Sequence, residues 1–136
     1  MRVIDTVVVH CSYTKVGQDI GAEEIDLWHK DRGWRCIGYH YVIRRDGILE
    51  VGRPVEKIGA HALKHNIRSI GICLVGGMGE DGEPDCNFTS AQYETLAELV
   101  DELVVEFDIE AVLGHRDLPT TNKACPCFDV KGFLQW

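Results

Sequence analysis

Between Val3 and His10 the chain reads VIDTVVVH, with Val7, Val8 and Val9 in unbroken succession. β-Branched side chains favour strands, and a run without polar alternation has no face to offer to water. Such a strand belongs in the middle of a sheet that is covered on both faces. Ser69 to Val75 (SIGICLV) reads as another buried strand, and Ala111 to Leu113 as a short last one. Tyr39 to Arg44 (YHYVIR) is also strand-like. Asp46-Gly47 turns it into Ile48 to Val51, a hairpin signal that makes one pair antiparallel.

Helical segments alternate with these strands. Ala22 to Asp31 sets Ile25, Trp28 and His29 at helical spacing, with Glu23-Glu24 on the exposed side and Gly33 as a stop. Thr89 and Gln92 form a capping box ahead of Tyr93, Leu96, Ala97, Val100, Leu103, Val104 and Phe107. Asp129 to Trp136 predicts a closing helical segment. The glycines of VGGMGEDG lack the Lys-Ser/Thr of a phosphate loop and read as a surface turn. The expected fold class is α/β (α+β in some schemes), with a mixed central sheet flanked by helices. No repeat or linker divides residues 1–136, so one domain is expected.

A chain of 136 residues can bury roughly two-thirds of its unfolded surface and needs no cross-links to fold. Its net charge of −8 argues against nucleic acid or an anionic membrane surface as a partner. The N-terminal apolar run is short and interrupted by Asp5, unlike a signal peptide, so a cytoplasmic location is expected. There the six cysteines default to thiols, with one or two available as metal ligands and Cys36 and Cys73 in the core.

Neither a Gly-x-Ser-x-Gly elbow nor a His-Glu-x-x-His helix is present. His10 and His115 both end β-like runs, where sheets of this class build their sites. A buried histidine needs a partner. A cysteine-bearing loop after the second one points to a metal. Cys11 adjoins His10 and should face the other way. If Cys125 and Cys127 both joined the histidines, the site would be closed and structural. If one did, a position would stay open for water. Spacing alone leaves both arrangements standing.

TVVVHCSYTK, EIDLWHKDRGWRCIGYHYVIRRDG, GAHA, NIRSIGICLVGG and GHRDLPTTNKACPCFD, in that order, resemble the zinc-dependent N-acetylmuramoyl-L-alanine amidases. Within that superfamily, which includes the peptidoglycan recognition proteins, the likeness is to the T7 phage lysozyme type. The resemblance covers nearly the whole chain. It implies one zinc ion per chain, held by His10, His115 and Cys125. It makes Tyr39 and Lys123 the catalytic partners and places His61 along the substrate cleft, with a structural or tautomer-fixing task equally open to it. His40, alternating with Tyr39, should face away into the core, and His29 and His65 are left as structural or surface residues.

Where the family has a small residue after Cys-Pro, this chain has Cys127, a candidate fourth ligand or oxidation partner of Cys125 that Pro126 restrains. The implied substrate is peptidoglycan, cut at the amide between N-acetylmuramic acid and L-alanine. A lone, monomeric catalytic domain held in the cytoplasm until release to the cell wall, as in a phage or prophage endolysin, is the corresponding expectation. A non-catalytic peptidoglycan-binding module is the alternative. A metal-free hydrolase using Cys11 or Cys127 as nucleophile is a further rival.

Overall fold

A computed structural model describes residues 2–136. In chain order, β1 (Thr6–Cys11) and the two-residue β2 (Thr14–Lys15) precede helix α1 (Ala22–Asp31). A hairpin of β3 (Tyr41–Ile43) and β4 (Leu49–Val51) follows, then β5 (Ser69–Leu74) and β6 (Gly77–Met78). Helix α2 (Ser90–Glu106), β7 (Ala111–Gly114), a single 3-10 turn (His115–Asp117) and α3 (Val130–Leu134) complete the chain. Among the described residues, no helix is long and apolar enough to cross a membrane.

The five-stranded sheet has the order β4-β3-β5-β1-β7. Its one antiparallel pair is the predicted hairpin, with Val42 opposite Glu50, and the other pairs are parallel. The valine run therefore lies inside the sheet, as its lack of alternation requires. Val7 and Val9 face a core shared with Leu96, Leu99, Val100 and Leu103 of α2 and Val130 of α3. Val8 faces the opposite side, with Ala62 and Leu118. Farther along that side, α1 lays Ile25 against Val42 and Cys73. Burial of each such aliphatic side chain is worth about 1.5–3 kcal/mol, which outweighs a helix cap at about 1 kcal/mol. The sheet is thus held chiefly by its two covering layers.

The Thr89–Gln92 capping box is present. Beyond its role at the cap, the buried Gln92 amide donates to the carbonyls of Ile43 and Val75, at 3.2 and 2.9 Å, tying α2 to the sheet. Several elements differ from the sequence reading. The glycine-rich segment is not simply a surface turn: Gly76 and Gly77 are buried, and Gly77–Met78 pairs with Thr14–Lys15. Cys36 is only half-buried, because it lies in the turn between α1 and β3 rather than in a strand. β3 begins at Tyr41, so the strict alternation expected of Tyr39 and His40 does not operate there.

Candidate active site

β1 and β7 are parallel, with Val9 opposite Gly114. The residue after each of these is a histidine, His10 still within β1 and His115 opening the 3-10 turn, so this register stands the two side by side at the carboxyl ends of neighbouring strands. Their ring centroids are 4.6 Å apart. Cys125 is brought back to the same place by backbone hydrogen bonding: the Arg116 N–H donates to the Cys125 carbonyl at 2.7 Å. The Cys11 N–H donates to Cys125 Sγ at 3.2 Å, the kind of bond that stabilises a thiolate. Gly114 permits this return. A Cβ there would lie 3.0 Å from Pro126 Cδ and 3.2 Å from Val130 Cγ2.

As a result, one ligand atom from each of His10, His115 and Cys125 lies within 4.8 Å of the others. Burial, reinforced by the neighbouring His61 and His115, pushes His10 well below the usual imidazole range. Burial and then Lys123 lower His115. Both are therefore neutral near pH 7, the form that ligates metals. Two neutral imidazoles and a sulfur that already accepts an N–H suit zinc by donor chemistry. Cys127 is not part of this group. Its thiol is directed at the Gly77 carbonyl, 3.4 Å away on β6, so the three-ligand arrangement fits the site better than the closed one.

Cys11 diverges from His10, as neighbours in a strand do. Its sulfur rests against Gly77, 2.6 Å from where a Cβ would stand. Its hydrogen bond with Cys125, followed by burial, holds its thiol far above the usual range. Burial pushes Cys127 up to about 12. Both thiols are protonated at neutral pH and are poor nucleophiles, which removes support from the metal-free cysteine hydrolase.

Tyr39 lies just before β3, its ring centroid 5.1 Å from that of His10. Burial, then the nearby thiols of Cys73, Cys125 and Cys11, raise its pKa well above that of a free phenol, so it is present as a hydrogen-bond donor. Lys123 is exposed on the loop that carries Cys125 and lines the same cleft. His61 is also there, with its Nδ1 2.9 Å from His10 Nε2. Its ring fills the space over β5 that Gly71 leaves empty, where a Cβ would lie 2.5 Å from His61 Cγ. The backbone N–H groups of His61 and Ala62 both donate to Asn66 Oδ1 at 2.9 Å, fixing the loop. Burial pushes His61 down to about 3.

His40 is fully buried and is not among the residues lining the cleft. Its Nδ1 accepts from the Gly71 N–H at 3.0 Å, and its ring stands 5.8 Å from that of His61. His29 is buried on α1, accepting from the Gly38 N–H at 2.8 Å. His65 supplies its carbonyl to Ser69.

The cleft has a volume of about 1040 Å³ and is also lined by Trp28, Arg32 and Trp34. The sequence reading placed Trp28 only at helical spacing with Ile25 and His29 and did not single out Arg32 or Trp34. A signal was present: a tryptophan and an arginine flanking Gly33, outside any periodic apolar pattern, mark an exposed aromatic wall. Gly71 was a second overlooked signal, since an isolated glycine within a strand indicates a close approach.

Residues 1–128 match the protein family described as N-acetylmuramoyl-L-alanine amidase. The chain is 46% identical over 125 residues to the endolysin of Klebsiella phage KP32, covering 92% of this chain and 82% of that protein. It is 44% identical over 127 residues to the endolysin of Escherichia phage T7, covering 93% and 83% respectively. Among solved structures it is similar to N-acetylmuramoyl-L-alanine amidase LysC from Clostridium intestinale URNW, with a TM-score of 0.82 and 29% identity over 98% of this chain and 87% of that one.

Proposed function

Because this chain belongs to the N-acetylmuramoyl-L-alanine amidase family, we propose that it is an endolysin-type amidase that works from a single zinc ion held by His10, His115 and Cys125. Its substrate is peptidoglycan, and the bond cut joins the lactyl group of N-acetylmuramic acid to L-alanine. The observation that carries the metal assignment is the convergence of three donor atoms of the right chemistry, within 4.8 Å, at the floor of a large cleft.

Zinc in that position supplies Lewis acidity, toward water and toward the amide carbonyl. The chain's own groups do the rest. An amide is a poor electrophile, and attack by water places negative charge on its carbonyl oxygen. Lys123, a cation on the cleft wall, neutralises that oxyanion. Tyr39 keeps its phenolic proton and donates a hydrogen bond to the attacking water or to the oxyanion. As the carbon–nitrogen bond breaks, the departing amine of L-alanine must take up a proton, for which Tyr39 and Lys123 are the available donors on this wall. Trp28 and Trp34 offer apolar surface for the sugar and the peptide stem.

Residues 1–136 act as one monomeric catalytic domain in this reading, held in the cytoplasm and delivered to the wall at lysis. Metal analysis tests the assignment. Wild-type protein should carry one zinc per chain, whereas His10→Ala, His115→Ala and Cys125→Ala should lose both zinc and hydrolysis. Full zinc content in any of the three variants would remove that residue from the ligand set.

A further inference from the structure

The hydrogen bonds behind His10 run in one direction, and a single carbonyl sets that direction. Ser69 Oγ lies 2.6 Å from the His65 carbonyl oxygen. A carbonyl can only accept, so the one hydroxyl proton of Ser69 is committed there. Ser69 Oγ also lies 3.2 Å from His61 Nε2. With its proton spent, the oxygen must accept in that contact, and His61 carries its proton on Nε2. A neutral ring protonated on Nε2 is bare at Nδ1. That bare atom is the one 2.9 Å from His10 Nε2, so His10 is the donor to it. His10, itself neutral, is then left with Nδ1 as its only lone pair.

We propose that Ser69, acting through His61, is a positioning residue that fixes His10 as the Nε2–H tautomer and so presets Nδ1 as its metal-binding atom. The proposal rests on the zinc-amidase reading and deepens it. Histidine ligands are commonly oriented by the partner of their other ring nitrogen. Here that partner is another histidine, whose own proton position is settled one step farther out.

The surroundings leave the relay little freedom. Ser69 is 1% exposed at the start of β5, opposite Thr6 of β1, so its hydroxyl has no access to bulk water. Gly71, two residues along the same strand, provides the gap in which the His61 ring lies. Asn66 clamps the backbone at His61 and Ala62. The same short segment of β5 thus supplies both the space for the relay ring and the group that orients its proton. Removing the Ser69 hydroxyl would strand a buried His61 Nε2–H. Moving that proton to Nδ1 would leave a bare Nε2 in place of a buried, unpartnered N–H, and the ring would then donate to His10 where it had accepted, which drives the His10 proton onto the metal-binding nitrogen.

The test reads imidazole tautomers by carbon and nitrogen NMR on histidine-labelled, zinc-free protein. His10 and His61 are both expected in the Nε2–H form. Ser69→Thr, which keeps the hydroxyl, should preserve that pattern. Ser69→Ala should shift His10 toward the Nδ1–H form and weaken zinc binding about 10- to 100-fold in competition with a chromophoric chelator. A His10 protonated on Nδ1 in the wild-type protein would overturn the proposal. So would a folded Ser69→Ala variant with unchanged tautomers and unchanged zinc affinity. Should that variant fail to fold, the wild-type spectrum decides alone. The tautomers are read without substrate, so a failure to cut peptidoglycan would count against the amidase reading and not against this one.

Discussion

Tyr39 and Lys123 share the cleft with the three candidate ligands, and Tyr39→Phe keeps the ring that packs against the core cluster of Ile25 and Ile37. Tyr39→Phe and Lys123→Ala should therefore keep zinc content and thermal stability while losing turnover, each by roughly 10²- to 10³-fold. Dye release from labelled peptidoglycan, read beside metal content, checks this. A Tyr39→Phe enzyme with unchanged turnover would remove Tyr39 from the mechanism. Away from the metal, His29 and His40 each present a bare Nδ1 to a backbone N–H. Burial holds both at about 4, against 6.5 for a free imidazole. The unfolded chain takes up these protons as pH falls through 6.5, and the folded chain does not until about 4. Their contribution is thus fully present above pH 6.5 and is lost below it, by roughly 1.4 kcal/mol per pH unit for each group at most. Urea midpoints measured between pH 7 and pH 5 should fall accordingly. A flat profile would contradict the neutral assignment of both rings.

Two glycines set the geometry at the scale of strands and loops. Gly71→Ala places a methyl carbon against the His61 ring, and a buried residue of β5 has no room to retreat. The variant should lose about 1–3 kcal/mol of stability and, by displacing His61, weaken zinc binding. Calorimetry and chelator competition read the two effects separately. A variant with wild-type zinc affinity would show that the His61 ring is not held by that gap. The elements most legible in the sequence were those whose signals are local: the valine run of β1, the Asp-Gly hairpin, and the capping box of α2. The β2–β6 pair was not legible, because strands of two residues carry no periodicity and exist only through each other. Leu99 was missed on the buried face of α2 because the helix packs with a wider stripe than a single i, i+3, i+4 series describes.

At the scale of the whole molecule, the site exists because the sheet order places β1 between β5 and β7. Parallel pairing brings His10 and His115 together from opposite ends of the chain, and α3 and the Cys-Pro turn close over the end of β7. The candidate ligands could be read as polar residues ending apolar runs and, with Cys125, from the family resemblance. The relay through His61 and Ser69 could not, since each of its bonds is made by tertiary folding and no spacing rule encodes it. The exposed wall of Trp28, Arg32 and Trp34 was likewise hidden, because helical spacing counts a tryptophan as apolar without telling cleft from core.

Mass spectrometry of purified peptidoglycan digested with and without a chelator tests the central claim most directly. The account predicts intact glycan strands and released stem peptides bearing new L-alanine amines, abolished by the chelator and restored by zinc. Uncut peptidoglycan that still retains the protein would contradict it, as would cleavage that the chelator leaves untouched.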